Sequence, residues 1–125
     1  MAEIKTFKDL KVWQKAHLLV LLIYKLTAKF PLEEKYGLVS QMRRAVVSVA
    51  SNIVEGFKRK TAKDSLNFYN ISDGSLEELK YQLLVSLDLG YISKNDYLEA
   101  LNLAEEVSKM LQSWSKSQRN NSQPV

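Results

Sequence analysis

The chain has 125 residues, with 18 Lys+Arg against 14 Asp+Glu, one histidine and no cysteine, which makes it one domain in length with a net charge of +4. The lack of cysteine excludes disulfides, redox thiols and thiolate metal sites, and four glycines and two prolines are too few for a turn-rich β-sandwich or barrel. A hydrophobic content of 46% is enough to bury a core, and the modest positive excess permits a nucleic-acid partner without requiring one.

Four segments have helical periodicity, so the expected fold is all-α: an up-down-up-down antiparallel four-helix bundle in a single domain over residues 1–115. The first helix is expected over about 7–29, ending before Phe30-Pro31, because proline disfavours helix at the preceding residue. Within it, the consecutive apolar residues from Leu18 to Tyr24 cover every face of the helix. A bundle helix shows about half its circumference to water, so part of this run is expected to be exposed and to mark self-association. The run is also far shorter than the roughly 20 residues needed to cross a bilayer. With the charged stretch from Met1 to Lys15, which has no signal-peptide core, this points to a cytoplasmic protein with no membrane partner.

The second helix is expected over about 32–58, with Glu33 and Glu34 in its first turn. It carries a polar stripe, Ser40, Arg44, Ser48, Ser51, Asn52 and Glu55, between apolar positions. The third is expected over about 61–89, from Thr61 as N-cap to Gly90 as the residue past its end. Gly74-Ser75 falls in its middle, and the glycine is expected to permit a close helix crossing. The fourth is expected over about 93–115, where Tyr97, Leu101, Ala104, Val107, Leu111 and Trp114 form a heptad-like stripe. Residues 116–125 are polar and expected to be a flexible tail.

Little in the chain suggests catalysis. His17 stands alone, which rules out a pair of Glu-x-x-His motifs for a di-iron site and leaves no partners for a nucleophilic triad. The four glycines are too scattered for a phosphate loop. No enzymatic activity, small-molecule substrate, cofactor or metal is expected. Arg44, Asn52, Glu55 and Glu78 read as a binding constellation or, in preference, as hydrogen-bonded pairs fixing helix register and subunit geometry.

In an antiparallel bundle one end gathers ten cations: Lys5, Lys8, Lys11, Lys15, Lys58, Arg59, Lys60, Lys63, Lys116 and Arg119. Four acids, Glu3, Asp9, Glu55 and Asp64, share that end, for a net of +6; the remaining eight cations and ten acids give −2. Lysines and arginines so concentrated suit a phosphate backbone, and all ten except Lys5 are the expected nucleic-acid-binding residues. Phe57 and Trp114 fall near the same end and are available for base stacking, although each is better explained as core.

Several stretches carry a family resemblance: Phe7-Lys8-Asp9-Leu10-Lys11-Val12-Trp13-Gln14-Lys15-Ala16, Phe30-Pro31, Glu34-Lys35-Tyr36-Gly37-Leu38, Ser40-Gln41-Met42-Arg43-Arg44-Ala45, Ser51-Asn52-Ile53-Val54-Glu55-Gly56, Gly74-Ser75-Leu76-Glu77-Glu78-Leu79 and Leu89-Gly90-Tyr91-Ile92. Together they resemble a bacterial four-helix-bundle family. It includes proteins encoded in intervening sequences of 23S ribosomal RNA genes, sometimes labelled ribosomal proteins, and accessory variability proteins of diversity-generating retroelements. The resemblance implies a barrel-shaped homopentamer. In the retroelement branch it also implies binding of RNA or DNA and of a reverse transcriptase, to assist mutagenic cDNA synthesis without catalysis. The family motif falls on Arg43, Arg44, Ser48, Asn52, Glu55, Gly56, Gly74, Ser75 and Glu78, positions that suit packing and subunit contact. The alternative is a structural or protein-interaction scaffold with little nucleic-acid contact.

Overall fold

The computed structural model describes residues 3–122 and contains four α-helices: α1, Lys11–Thr27; α2, Leu38–Phe57; α3, Ala62–Asp88; and α4, Lys94–Ser122. Their partners across each seam run in opposite directions. Ser86, Ser75, Ser72 and Tyr69 of α3 meet Met42, Ser48, Val49 and Gly56 of α2 in turn. Lys15 of α1 meets Glu106 of α4, and Lys80 of α3 meets Glu105. Each helix packs on two neighbours, and the fold is the expected antiparallel four-helix bundle.

The core is the inward stripe of each helix: Ala16, Leu19 and Ile23; Met42, Val46, Val49 and Ile53; Leu76, Leu79 and Leu83; Ala100, Ala104, Val107 and Leu111. Spacings of three and four place these residues on one face, as burial of an amphipathic helix requires. The run from Leu18 to Tyr24 divides as its length demands: Leu19 and Ile23 are buried, while Leu18, Leu21 and Tyr24 are 51%, 54% and 41% exposed.

Several helix limits differ from the expected ones for local reasons. Residues 7–9 form a separate 3-10 turn in place of the start of α1. Thr6 caps this turn, and the Asp9 carboxylate accepts from the Thr6 and Lys5 backbone N–H groups. Leu10 is extended, so α1 begins only at Lys11. Residues 32–34 are likewise a 3-10 turn, which places Glu33 and Glu34 outside α2. Glu34 still caps that helix, because its carboxylate accepts from the Leu38 N–H at 3.3 Å. The connection from α1 to α2 is therefore residues 28–37, longer than the few residues expected.

Both ends of α3 follow the expected signals. The Thr61 hydroxyl accepts from Asp64 N–H at 3.2 Å. Gly90 takes φ +77°, and the N–H groups of Gly90 and Tyr91 close onto the carbonyls of Leu87 and Ser86. The expected polar tail is helical through Ser122, since Trp114, Ser115 and Gln118 are half-buried and line the grooves that flank α3 and the α2–α3 turn; residues 123–125 lie outside the described residues.

Gly74 does not serve a close crossing within the chain, for a Cβ there would meet nothing within 4 Å. The close crossing occurs at Gly56, where a Cβ would run into the ring of buried Tyr69. The two glycines should therefore respond in opposite directions. Gly56→Ala is expected to lower stability by about 1–3 kcal/mol through overpacking, and Gly74→Ala to raise it by up to about 1 kcal/mol through helix propensity. Urea midpoints of the two variants check this.

Candidate nucleic-acid interface

The turn joining α2 to α3, the start of α1 and the end of α4 share one end of the bundle, because α1 and α4 are antiparallel with Lys15 opposite Glu106. This brings together Lys8, Lys11, Lys15, Lys58, Arg59, Lys60, Lys63, Lys116 and Arg119. All but Lys15 are exposed. The cations divide by what they already touch. Lys15 pairs with Glu106 at 3.1 Å. Arg59 pairs with Glu55 and lies over the Phe68 ring at 4.5 Å. Arg119 also has a partner. Lys8, Lys11, Lys58, Lys60, Lys63 and Lys116 have no ion-pair partner within 4 Å among the described residues. Free ammonium groups of this kind can exchange their counterions for phosphates.

Besides a hollow of about 400 Å³ beside Lys116 and Arg119, two concave surfaces flank this end. The larger, about 760 Å³, lies between the N-terminal segment and α4 and is floored by Leu10, Val12, Met110 and Trp114. The other, about 460 Å³, runs under the α2–α3 turn beside Arg59, Lys60 and Tyr69. Ile4 and Trp114 line both. Phe57 and Trp114 are half-buried and pack against the core. Tyr69 is buried, and that burial pushes its hydroxyl above the usual tyrosine value. The neighbouring Trp114 indole opposes the rise but makes no full hydrogen bond.

The motif residues lie elsewhere, along α2 and α3. The Ser48 and Ser75 hydroxyls share a hydrogen bond at 2.8 Å, and Asn52 donates to the Ser48 hydroxyl and carbonyl. Gly56 seats Tyr69, and Glu78 accepts from Gln82. Arg44, Ser48, Ser75 and Glu78 border a shallow hollow on the outer face. Arg43, Arg44, Ser48 and Asn52 also line a groove of about 700 Å³ beside Tyr24 and Tyr36, where Arg43 donates to the Thr27 hydroxyl and the Tyr24 carbonyl, with its guanidinium over the Tyr24 ring at 4.5 Å. Glu55 is drawn off to Arg59 and Gly74 faces open space, so the nine residues do not form one site.

Other contacts had only a partial signal in the sequence. Lys80 bridges Glu77 and Glu105; the first pairing is legible from their spacing along one helix, the second is not. The same holds for Tyr91, whose hydroxyl donates to Glu34 across two turns. His17 is exposed and stacks on Trp13, with ring centroids 5.0 Å apart. Among the described residues, no group of three or more His, Asp or Glu could hold a metal ion, and no helix is long and apolar enough to cross a membrane.

These features define a class: a small all-α protein, an antiparallel four-helix bundle with a cation-rich end. The chain belongs to the 23S rRNA-intervening sequence protein family, whose model matches residues 8–113. It is similar to a protein of unknown function from the S23 ribosomal protein family of Bacteroides thetaiotaomicron VPI-5482. The two are 25% identical over 84% of this chain and 98% of that chain, with a TM-score of 0.76. None of the curated proteins matches the chain significantly.

Lys80 gives a test of the charge map. Burial alone would lower its pKa, but hydrogen bonds and attraction from Glu77 and Glu105 outweigh this and hold it above the usual lysine value of 10.5. A lysine raised in the folded state adds stability below its unfolded pKa and loses it as pH rises through the folded one. Lys80→Met is therefore expected to cost about 1 kcal/mol at neutral pH. The gap to wild type should close at strongly alkaline pH, as read by urea denaturation across that range.

Proposed function

We propose that this protein is a non-catalytic, cytoplasmic, homopentameric barrel that binds RNA or DNA through its cation-rich end. Its setting is that of the family: accessory to a reverse transcriptase in a retroelement, or product of a ribosomal-RNA intervening sequence. The observation that carries the reading is the cluster of exposed, unpaired lysines at one end, Lys8, Lys11, Lys58, Lys60, Lys63 and Lys116, against a net negative remainder. In a closed ring of parallel subunits these ends would form one rim, where +6 is repeated five times. Phosphates there would displace counterions, so affinity should fall steeply with salt.

The apolar surface supports self-association. Leu18, Leu21 and Tyr24 are exposed on α1, and Tyr24 opens onto a groove shared with Tyr36 and Val47. A second exposed strip, Ile71, Tyr81 and Leu84, runs along α3. Strips on different helices cannot satisfy each other within one copy. Joining the first strip of one copy to the second of the next is a heterologous contact, which gives a ring where its rotation closes and a filament where it does not. Gly74, exposed between Ile71 and Tyr81 in sequence, leaves room for such a neighbour.

Fluorescence anisotropy with a generic RNA–DNA duplex tests the nucleic-acid reading. Binding is expected to weaken steeply with salt, and the triple reversal Lys58→Glu, Arg59→Glu and Lys60→Glu to reduce affinity at least tenfold. Affinity untouched by the reversal would sink the rim and leave a protein-interaction scaffold. For assembly, light scattering is expected to give about five times the 14.3 kDa chain mass. Leu21→Glu together with Tyr24→Glu should return it to a single chain, and a wild-type mass of one chain would refute the ring.

A further inference from the structure

The larger concavity at the basic end has the chemistry of a base-binding site. Its floor is apolar and includes one aromatic ring, with Leu10 and Val12 from the entry to α1 and Met110 and Trp114 from α4. Its rim carries Lys11 and Lys109, both exposed and without an ion-pair partner within 4 Å among the described residues. The one acid of the lining, Asp9, has its carboxylate turned to the Lys5 and Thr6 backbone N–H groups. At about 760 Å³ it falls within the usual size of ligand clefts and exceeds what a single nucleobase needs. The second concavity, which shares Ile4 and Trp114 with it, offers Arg59 and Lys60.

A duplex presents phosphates but keeps its bases stacked inside. An unpaired strand can give both at once: a base to an apolar, aromatic floor and the flanking phosphates to lysines. A uniform basic surface would favour the duplex, which has the higher charge density. This end instead sets an apolar recess directly beside unpaired cations, and that juxtaposition distinguishes them.

Resting on the nucleic-acid reading above, we infer that the groove between the N-terminal segment and α4 takes an unstacked base of single-stranded nucleic acid, with Lys11 and Lys109 holding the adjacent phosphates. The protein is then a single-strand binder whose preference comes from this groove, while its general affinity comes from the rim. Ser113 is an exposed lining residue of the groove, so it can be enlarged without touching the core.

The full chain carrying Trp13→Phe leaves Trp114 as its one tryptophan. It would be titrated with oligothymidylate, oligouridylate and a duplex of equal length at fixed salt. Both single strands are expected to quench Trp114 and to bind at least tenfold tighter than the duplex. Ser113→Leu fills the groove without adding a ring on which a base could stack, and should remove that preference, lowering single-strand affinity to the duplex level and leaving the duplex affinity and the thermal melt unchanged. Equal affinity for single strand and duplex in the otherwise native groove, or a preference that survives Ser113→Leu, would overturn the groove while leaving the rim intact. If neither form binds at low salt, the underlying nucleic-acid reading falls and this inference with it. A drop in assembly mass on Ser113→Leu would assign the groove to a second copy of the chain and also overturn the proposal.

Discussion

The contact of Tyr69 with Gly56 is the constraint around which the basic end is built. The ring fills the place a Cβ would occupy and brings α2 and α3 together where they turn into one another. That closeness fixes the turn carrying Lys58, Arg59 and Lys60. On its other side Tyr69 lies beside Trp114, so the end of α4 is set by the same side chain. A larger residue at position 56 would separate the helices and move the turn, the α4 terminus and both concavities together.

Away from that end, polar groups are spent on holding the bundle. Ser48 with Ser75, and Ser72 with the Val49 carbonyl, stitch α2 to α3, while Asn52 holds the Ser48 hydroxyl from within α2; Arg43 ties α2 to α1, and Lys80 ties α3 to α4. These bonds are directional and fix register in a way that leucine packing alone does not. At the basic end the pattern reverses, since most lysines there have no anionic partner. The same residue types thus serve two purposes, and the difference is whether an acid lies within reach.

Much of this was legible in the sequence. Periodicity placed all four helices, Thr61 and Gly90 marked the limits of α3, and the antiparallel order alone predicted which cations would meet. Helix starts were less legible. The Thr6–Asp9 cap resembles a helix N-terminus in sequence yet closes only a 3-10 turn, and Glu34 sits in a second 3-10 turn from which it reaches forward to cap α2. The role of Gly74 was misassigned because a mid-helix glycine signals close approach without saying to what; the large ring that needed room was Tyr69, opposite a different glycine. The groove beside Trp114 had no local signal, because its walls come from segments some hundred residues apart. Long-range pairs such as Lys80–Glu105 and Tyr91–Glu34 were hidden for the same reason.

The N-terminal segment has a thermodynamic consequence of its own. Its 3-10 turn buries no side chain, and local hydrogen bonds to Asp9 and Thr6 hold it. Those bonds favour the ionised Asp9 carboxyl and lower its pKa. The Phe7 ring meets the Trp13 ring edge-on at 4.9 Å, and Gln14 donates to the Lys8 carbonyl. With so few buried contacts, the segment ahead of Leu10 is expected to open at lower free energy than the helices behind it. Ile4, which walls both concavities, belongs to that segment. Two stability scales are therefore expected: that of a bundle that unfolds as a whole, and that of a short strap beside it that opens locally.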